Sequence, residues 1–239
     1  MTTELYQGYR LRTAAPWSDE AKQQLLEVLQ CARRKGDGGL GGRRQIIPAQ
    51  IDGIGRVIVK QYTRGGVFRH FVAERYLRWG PTRPEAEFAI LDEVRAFGGM
   101  APEPLASVDR GGPFYRAWLV TREIEQHATL AELSRHDDDR VRLLLDEVVR
   151  QISILIEQRI LHVDLHPGNV VIDAFNKVYL LDFDRAYRYQ GGGNRLRDRY
   201  LHRWRRAVIK HGLPDVLAEY VCMGLRRDFT AVAQGMGSP

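Results

Sequence analysis

Three oxygen-bearing residues, Asp164, Asn169 and Asp182, constrain this chain more than any other feature. Asp164 lies in the run His162-Val163-Asp164-Leu165-His166-Pro167-Gly168-Asn169, five residues before Asn169. Asp182 follows Asn169 by thirteen residues and opens Asp182-Phe183-Asp184. Between them lie two apolar runs, Val170-Val171-Ile172 and Val178-Tyr179-Leu180-Leu181, around the polar stretch Asp173 to Lys177. Short β-branched and apolar runs on either side of turn residues predict a hairpin. A hairpin brings the chain back to its starting end. Asn169 entering one strand and Asp182 leaving the other therefore emerge together, beside the loop that carries Asp164.

That grouping suits phosphoryl transfer, which needs positioning and charge neutralisation more than covalent help. A carboxylate beside the attacking hydroxyl orients it and takes its proton, and Asp164 is placed for that role. Magnesium prefers oxygen ligands and keeps several waters, so one carboxylate and one amide oxygen next to phosphate oxygens suit it. Asn169 and Asp182 are the candidate ligands, His162 is the candidate brace of the catalytic loop, and Mg2+ is the implied metal. The bland alternative is an ordinary hairpin with surface acids.

The rest of the chain supplies the frame. Residues 18–35 predict a helix capped by Ser18, with Leu25, Leu26, Val28 and Leu29 on its apolar face. Gly36 to Gly42 form a glycine-rich break. Arg43 to Tyr62 predict two strands about Asp52-Gly53, with Lys60 closing the second. Residues 67–79 read as a short helix or an extended aromatic stretch. Residues 83–97 predict a helix with Phe88, Ile90, Leu91, Val94 and Phe97 at helical spacing, stopped by Gly98-Gly99. A hairpin is expected from Val108, turning over Asp109 to Gly112 and returning from Tyr115 to Val120. Two helices over 127–159, the second from Asp137 to Arg159, and a helical tail from Asn194 complete the order. Strands gather in the front half and helices in the back, which predicts an α+β chain of two lobes with a cleft between them. The expected boundaries are 1–122 for the N-terminal lobe and 123–239 for the C-terminal lobe.

The His162–Asn169 loop, its hairpin and Asp182-Phe183 resemble the catalytic and metal-binding segments of the protein-kinase superfamily. The resemblance implies a bilobal protein-kinase-like fold with a β-sheet N-lobe and a short, mainly helical C-lobe. It implies that Lys60 steadies ATP phosphates after a glycine turn, here drawn from Gly38, Gly39, Gly41 and Gly42, whose backbone can approach phosphate. The lysine needs a helix carboxylate; Glu85, Glu87, Asp92 and Glu93 are available, and Glu87 is the choice. A hinge near Thr121 to Gln126, with Glu123 and Ile124, would meet adenine through backbone groups. The departures matter too. No arginine precedes Asp164, His166 stands where a lysine is usual, and Asp184 replaces a glycine and supplies a further carboxylate near the metal. Only 57 residues follow Asp182 and no A-P-E motif is present, which favours a small-molecule or glycan acceptor over a peptide.

Further stretches narrow the resemblance. Lys60-Gln61-Tyr62-Thr63-Arg64-Gly65-Gly66, Tyr76-Leu77-Arg78-Trp79-Gly80 with Thr82-Arg83, and Tyr115-Arg116-Ala117-Trp118-Leu119-Val120-Thr121 are similar to the 3-deoxy-D-manno-octulosonic acid (Kdo) kinases of the lipopolysaccharide kinase family. This resemblance covers about Gly36 to His211. It implies phosphorylation of the 4-hydroxyl of Kdo on a lipid A precursor, at the cytoplasmic face of the bacterial inner membrane. A heptose kinase, an aminoglycoside- or choline-type phosphotransferase, a small atypical protein kinase and a pseudokinase remain as rivals.

Composition sets the surroundings. The net charge of +6 favours anionic partners such as a phosphorylated glycolipid or an anionic membrane surface. No nucleic-acid motif is recognisable. Two cysteines, Cys31 and Cys222, fit a reduced cytoplasmic protein, and neither a membrane span nor a signal-peptide core is evident. In the tail, Leu196, Tyr200, Trp204 and Val208 recur at helical spacing among arginines. That pattern fits peripheral contact with anionic phospholipid or acceptor phosphates, and equally a helix packed on the C-lobe with its arginines in water. Arg64, Arg69, Arg78 and Arg83 are candidates for the acceptor carboxylate or simple surface charges.

Overall fold

The computed structural model describes residues 2–36, 46–62, 76–77, 80–112 and 114–235. The glycine turn around Gly38, Gly39, Gly41 and Gly42 lies outside them, as do Arg64, Arg69 and Arg78. The chain forms two compact units, Met1–Asp92 with Glu103–Glu123, and Glu93–Pro102 with Ile124–Pro239. Residues 93–102, expected in the N-terminal lobe, thus group with the second unit.

The first unit is built on an antiparallel sheet. Its strands are β1 (Thr2–Tyr6), β2 (Tyr9–Thr13), β3 (Ile46–Ile51), β4 (Gly55–Tyr62), the two-residue β5 (Tyr76–Leu77), β6 (Pro104–Gly111) and β7 (Phe114–Arg122). They lie in the order β1-β2-β6-β7-β4-β3, with β5 also pairing β7. The β1–β2 hairpin, unforeseen in the sequence, turns through Gln7 and Gly8, both at positive φ. That is the backbone a two-residue hairpin turn requires. Helix α1 (Asp19–Gly36) starts where Ser18 Oγ accepts from the Ala21 N–H at 3.2 Å. Its Leu25, Leu26 and Leu29 are buried with Val57, Val59, Val108, Trp118 and Val120 of the sheet. Each leucine so buried contributes about 2 kcal/mol.

Three expectations are corrected here. Lys60 does not close β4, which runs on to Tyr62. Strand β6 begins at Pro104 rather than Val108, and Asp109 sits within it rather than in the turn. Asp109 is buried and accepts from Arg12 of β2 at 2.9 Å, so the strand persists to keep that carboxylate paired. Helix α2 (Arg83–Ala96) buries Phe88, Ile90, Leu91 and Val94, but Phe97 lies past its end and is 42% exposed. The helix stops because Gly98 takes φ +79°, and the Gly99 N–H returns to the Val94 carbonyl at 2.9 Å.

The second unit is mainly helical. It contains β8 (Ala128–Thr129), α3 (Leu130–Leu133), α4 (Asp138–Glu157), β9 (Ile160–Leu161), β10 (Val170–Ile172), β11 (Val178–Leu180), β12 (Tyr187–Arg188), α5 (Gly193–Lys210) and α6 (Val216–Gly235). Thr129 and Glu132 form a reciprocal capping box on α3, and Asp137 caps α4. Helix α4 carries a buried stripe through Val141, Leu145, Val148, Ile152 and Leu155. The tail is not one helix: Gly212 at φ +56° and Pro214 separate α5 from α6. No described helix is long and apolar enough to cross a membrane.

Candidate active site

The expected hairpin is β10–β11, paired antiparallel with Val170 opposite Leu180 and Ile172 opposite Val178. Asp173 shapes its turn by accepting from the N–H groups of Phe175 and Lys177 at 2.8 and 2.9 Å. At the open end the Leu181 N–H donates to the Asn169 carbonyl at 2.8 Å. That bond sets Asn169 against the residue that precedes Asp182. The Asn169 side-chain amide donates to the Asp164 carbonyl at 2.9 Å through its nitrogen, so Oδ1 is not used in that bond. Asp182 adopts φ +61°, the left-handed region a non-glycine residue keeps mainly where its surroundings hold it, and such strain gathers at functional sites.

His162 is the joint of this assembly. It is 1% exposed, and its ring lies edge-on to Phe183 at 4.6 Å between centroids. Its Nδ1 accepts from the Asp164 N–H at 3.3 Å, so the proton sits on Nε2, which donates to the Leu181 carbonyl at 2.8 Å. One imidazole therefore ties the Asp164 loop to the strand end that carries Asp182. Burial lowers its pKa to about 4, against a smaller upward pull from the Leu181 carbonyl. A neutral ring with both nitrogens committed to backbone groups joins the loop to the strand end. His166 likewise turns inward: Nδ1 accepts from the Gly168 N–H at 3.1 Å and caps the 3-10 turn Pro167–Asn169. Burial, then nearby His211, pushes its pKa down.

Two residues that the sequence presented only as part of a helix reach this loop. The buried Tyr200 hydroxyl donates to the Ile160 carbonyl at 2.9 Å and accepts from the His162 N–H at 2.7 Å. Burial pushes its phenol pKa up, which keeps the donor in place. One turn on, Arg203 forms an ion pair with Asp164 through Nη2 and Oδ1. Helical spacing flagged this face as apolar; nothing in it revealed a tyrosine hydroxyl clamped to a loop 38 residues away.

The first unit presents a second pairing. Alternation along β4 buries Val57 and Val59 beneath α1 and sends Lys60 to the opposite face. There its Nζ meets both carboxylate oxygens of Glu87 at 2.9 Å, and the Tyr62 hydroxyl joins the same carboxylate. Glu87 is thus the lysine's partner among the four acids of its helix that were available. Glu85 instead caps α2 through the Thr82 N–H at 2.6 Å and pairs with Arg12 at 2.8 Å.

Glu123 and Ile124, the residues expected at the hinge, are partly committed. The Glu123 N–H donates to the Arg56 carbonyl at 3.1 Å, and its carboxylate accepts from Arg56 Nε at 2.8 Å. The Ile124 carbonyl is met by His127 Nδ1. Asp184 is buried. Asn169 and Asp182 are two hard oxygen donors at one hairpin mouth, a set that fits magnesium, which takes few protein ligands beside waters and phosphates. Among the described residues no cluster of three or more His, Cys, Asp or Glu side chains suits a metal held by protein alone.

The family model described as "Lipopolysaccharide kinase (Kdo/WaaP) family" matches residues 40–220. Among similar proteins are three named 3-deoxy-D-manno-octulosonic acid kinase. That of Vibrio cholerae serotype O1 is 30% identical over 132 residues, 54% of this chain and 56% of the relative. That of Vibrio vulnificus strain CMCP6 is 32% identical over 143 residues, 56% and 58%. That of Photobacterium profundum is 29% identical over 157 residues, 64% of each. The matches thus span somewhat over half of the relatives' length. With the family matched across most of its length, and with the loop, hairpin and lysine pair in place, the chain belongs to the lipopolysaccharide kinase (Kdo/WaaP) family.

Proposed function

We propose that this protein is an ATP-dependent kinase that phosphorylates a sugar hydroxyl, the 4-hydroxyl of Kdo on a lipid A precursor, in lipopolysaccharide biosynthesis. The observation that carries the reading is the joining of Asp164, Asn169 and the Asp182 strand end through His162 and two backbone-directed bonds. Asp164 orients the acceptor hydroxyl and takes its proton. Asn169 Oδ1 and the Asp182 carboxylate hold Mg2+, with Asp184 as a further carboxylate nearby. Lys60, fixed by Glu87, steadies the phosphates, and the glycines at 38, 39, 41 and 42 approach them by backbone. The Glu123 carbonyl and the Ile124 N–H meet adenine. When bound, Mg2+-ATP supplies the transferable phosphoryl group and the countercharge for its transfer.

The acceptor follows from the relatives' name and from charge. The apolar stripe of α5 is buried, while Arg195, Arg199, Arg205 and Arg206 are exposed. That helix supports peripheral contact with an anionic membrane at the cytoplasmic face of the inner membrane, where a Kdo-bearing glycolipid would be met.

The test is transfer of labelled phosphate from ATP, with magnesium, to a panel of acceptors. The panel holds Kdo-bearing lipid A precursor, heptose-bearing core, aminoglycosides, choline and protein alone. Label on the Kdo lipid, lost by a factor of 10³ or more in Asp164→Ala, is the expected result. Label on another acceptor replaces the substrate and keeps the chemistry. Near-wild-type transfer by Asp164→Ala overturns the assignment of the base.

A further inference from the structure

The loop from His162 to Asn169 contains no lysine or arginine. Its two histidines spend their Nδ1 atoms as acceptors for backbone N–H groups. The loop therefore offers the Asp164 carboxylate no side-chain cation of its own, although a carboxylate that must aim one oxygen at a hydroxyl needs its torsions fixed. The cation arrives from elsewhere. Arg203 of α5 grips Asp164 Oδ1, which leaves Oδ2 for the acceptor.

Its arrival is engineered by the fold. Tyr200 bonds the backbone on both sides of Leu161, at Ile160 and His162, and so locks α5 in rotation and height against the catalytic loop. Trp204, one turn further along the same buried stripe, fixes it again through Nε1 to the Leu217 carbonyl at 2.8 Å. Arg203 lies three residues after Tyr200 and one before Trp204, so its direction is set by three buried bonds. The ion pair itself is open to water, 42% exposed on Arg203 and 52% on Asp164. An exposed pair of this kind contributes almost nothing to stability. Its value to the molecule lies in where it puts Asp164.

We infer that Arg203 is a positioning residue for phosphoryl transfer, delivered by the C-terminal helix to orient the Asp164 carboxylate that its own loop leaves without a cation. The inference rests on the reading of Asp164 as the base.

The experiment measures steady-state kinetics for wild type, Arg203→Gln, Arg203→Lys and Asp164→Asn, with folding checked by circular dichroism and melting temperature. Arg203→Gln is expected to lose about 10²-fold in kcat, with KM for ATP and acceptor within about threefold. Arg203→Lys should recover part of the loss, and millimolar guanidinium should raise Arg203→Gln but not wild type. A kcat for Arg203→Gln within threefold of wild type, or above it, overturns the positioning role. So does a rise in acceptor KM with kcat unchanged, which would make Arg203 an acceptor-binding group. Full activity in Asp164→Asn strikes instead at the reading of the base, and wild type that transfers to no acceptor strikes at the proposed function; either removes the positioning role with it.

Discussion

Two ion pairs mark the two units, and they differ in almost every physical respect. Lys60–Glu87 is nearly sealed, with side chains 13% and 4% exposed. Arg203–Asp164 is half open. The first joins a central strand to the helix that follows it, so the pair is also part of the packing. The second joins a loop to a helix whose place is already settled by Tyr200 and Trp204. Breaking a buried pair strands a charge in the interior, whereas breaking an exposed one returns both groups to water. Both pairs matter to the proposed chemistry, but only the first should matter much to the fold.

The largest effect that tests this contrast is Glu87→Ala. It leaves Lys60 facing an emptied, mostly buried site and should cost about 3–5 kcal/mol of stability. Chemical denaturation should report that loss, and an unchanged midpoint would break the comparison.

The next effect concerns a buried group that meets the same problem by giving up its charge. His162 has its pKa lowered to about 4 in the folded chain, from 6.5. Between those values the unfolded chain takes up the proton first. The stabilisation is therefore complete above about pH 6.5 and is lost as pH falls toward 4. The full amount is roughly 3 kcal/mol. Melting temperature followed across that window should fall in wild type, and less steeply in His162→Gln.

Smaller again is Tyr200→Phe. It removes one hydroxyl and leaves the Ile160 carbonyl and the His162 N–H without their partner, at a cost of about 2 kcal/mol. Smallest is Arg203→Gln, which should cost less than about 1 kcal/mol in the same measurement. A large destabilisation there would mean that the exposed pair is structural, and the contrast between the two pairs would collapse.

Local patterns carried the elements of this fold far into the sequence reading. The β10–β11 hairpin, α1 with its Ser18 cap, and the break at Gly98-Gly99 all depend on neighbours a few residues apart, so spacing and turn chemistry exposed them. Glu87 could be singled out because the protein-kinase resemblance implies a helix acid opposite Lys60, and one helix offered four. The β1–β2 hairpin escaped because Gln7-Gly8 is a weak turn signal flanked by few apolar residues. Tyr200 and Arg203 escaped for another reason. Tyr200 was counted in an apolar stripe, correctly, but its hydroxyl and its neighbour's guanidinium act on a loop about forty residues upstream. Periodicity along one helix contains no record of such a meeting.

The clamp at Tyr200 has a consequence for how chains of this kind can change in length. Each residue added to a helix turns everything beyond it by about 100°. One insertion between Tyr200 and Arg203 would swing the arginine to another face while the tyrosine stayed anchored. The same insertion in the 211–215 break would be absorbed by a loop that already bends at Gly212. The five residues from Tyr200 to Trp204 thus act as a ruler whose length cannot drift, set in a tail where the bend at Gly212 is the place that tolerates a change in length.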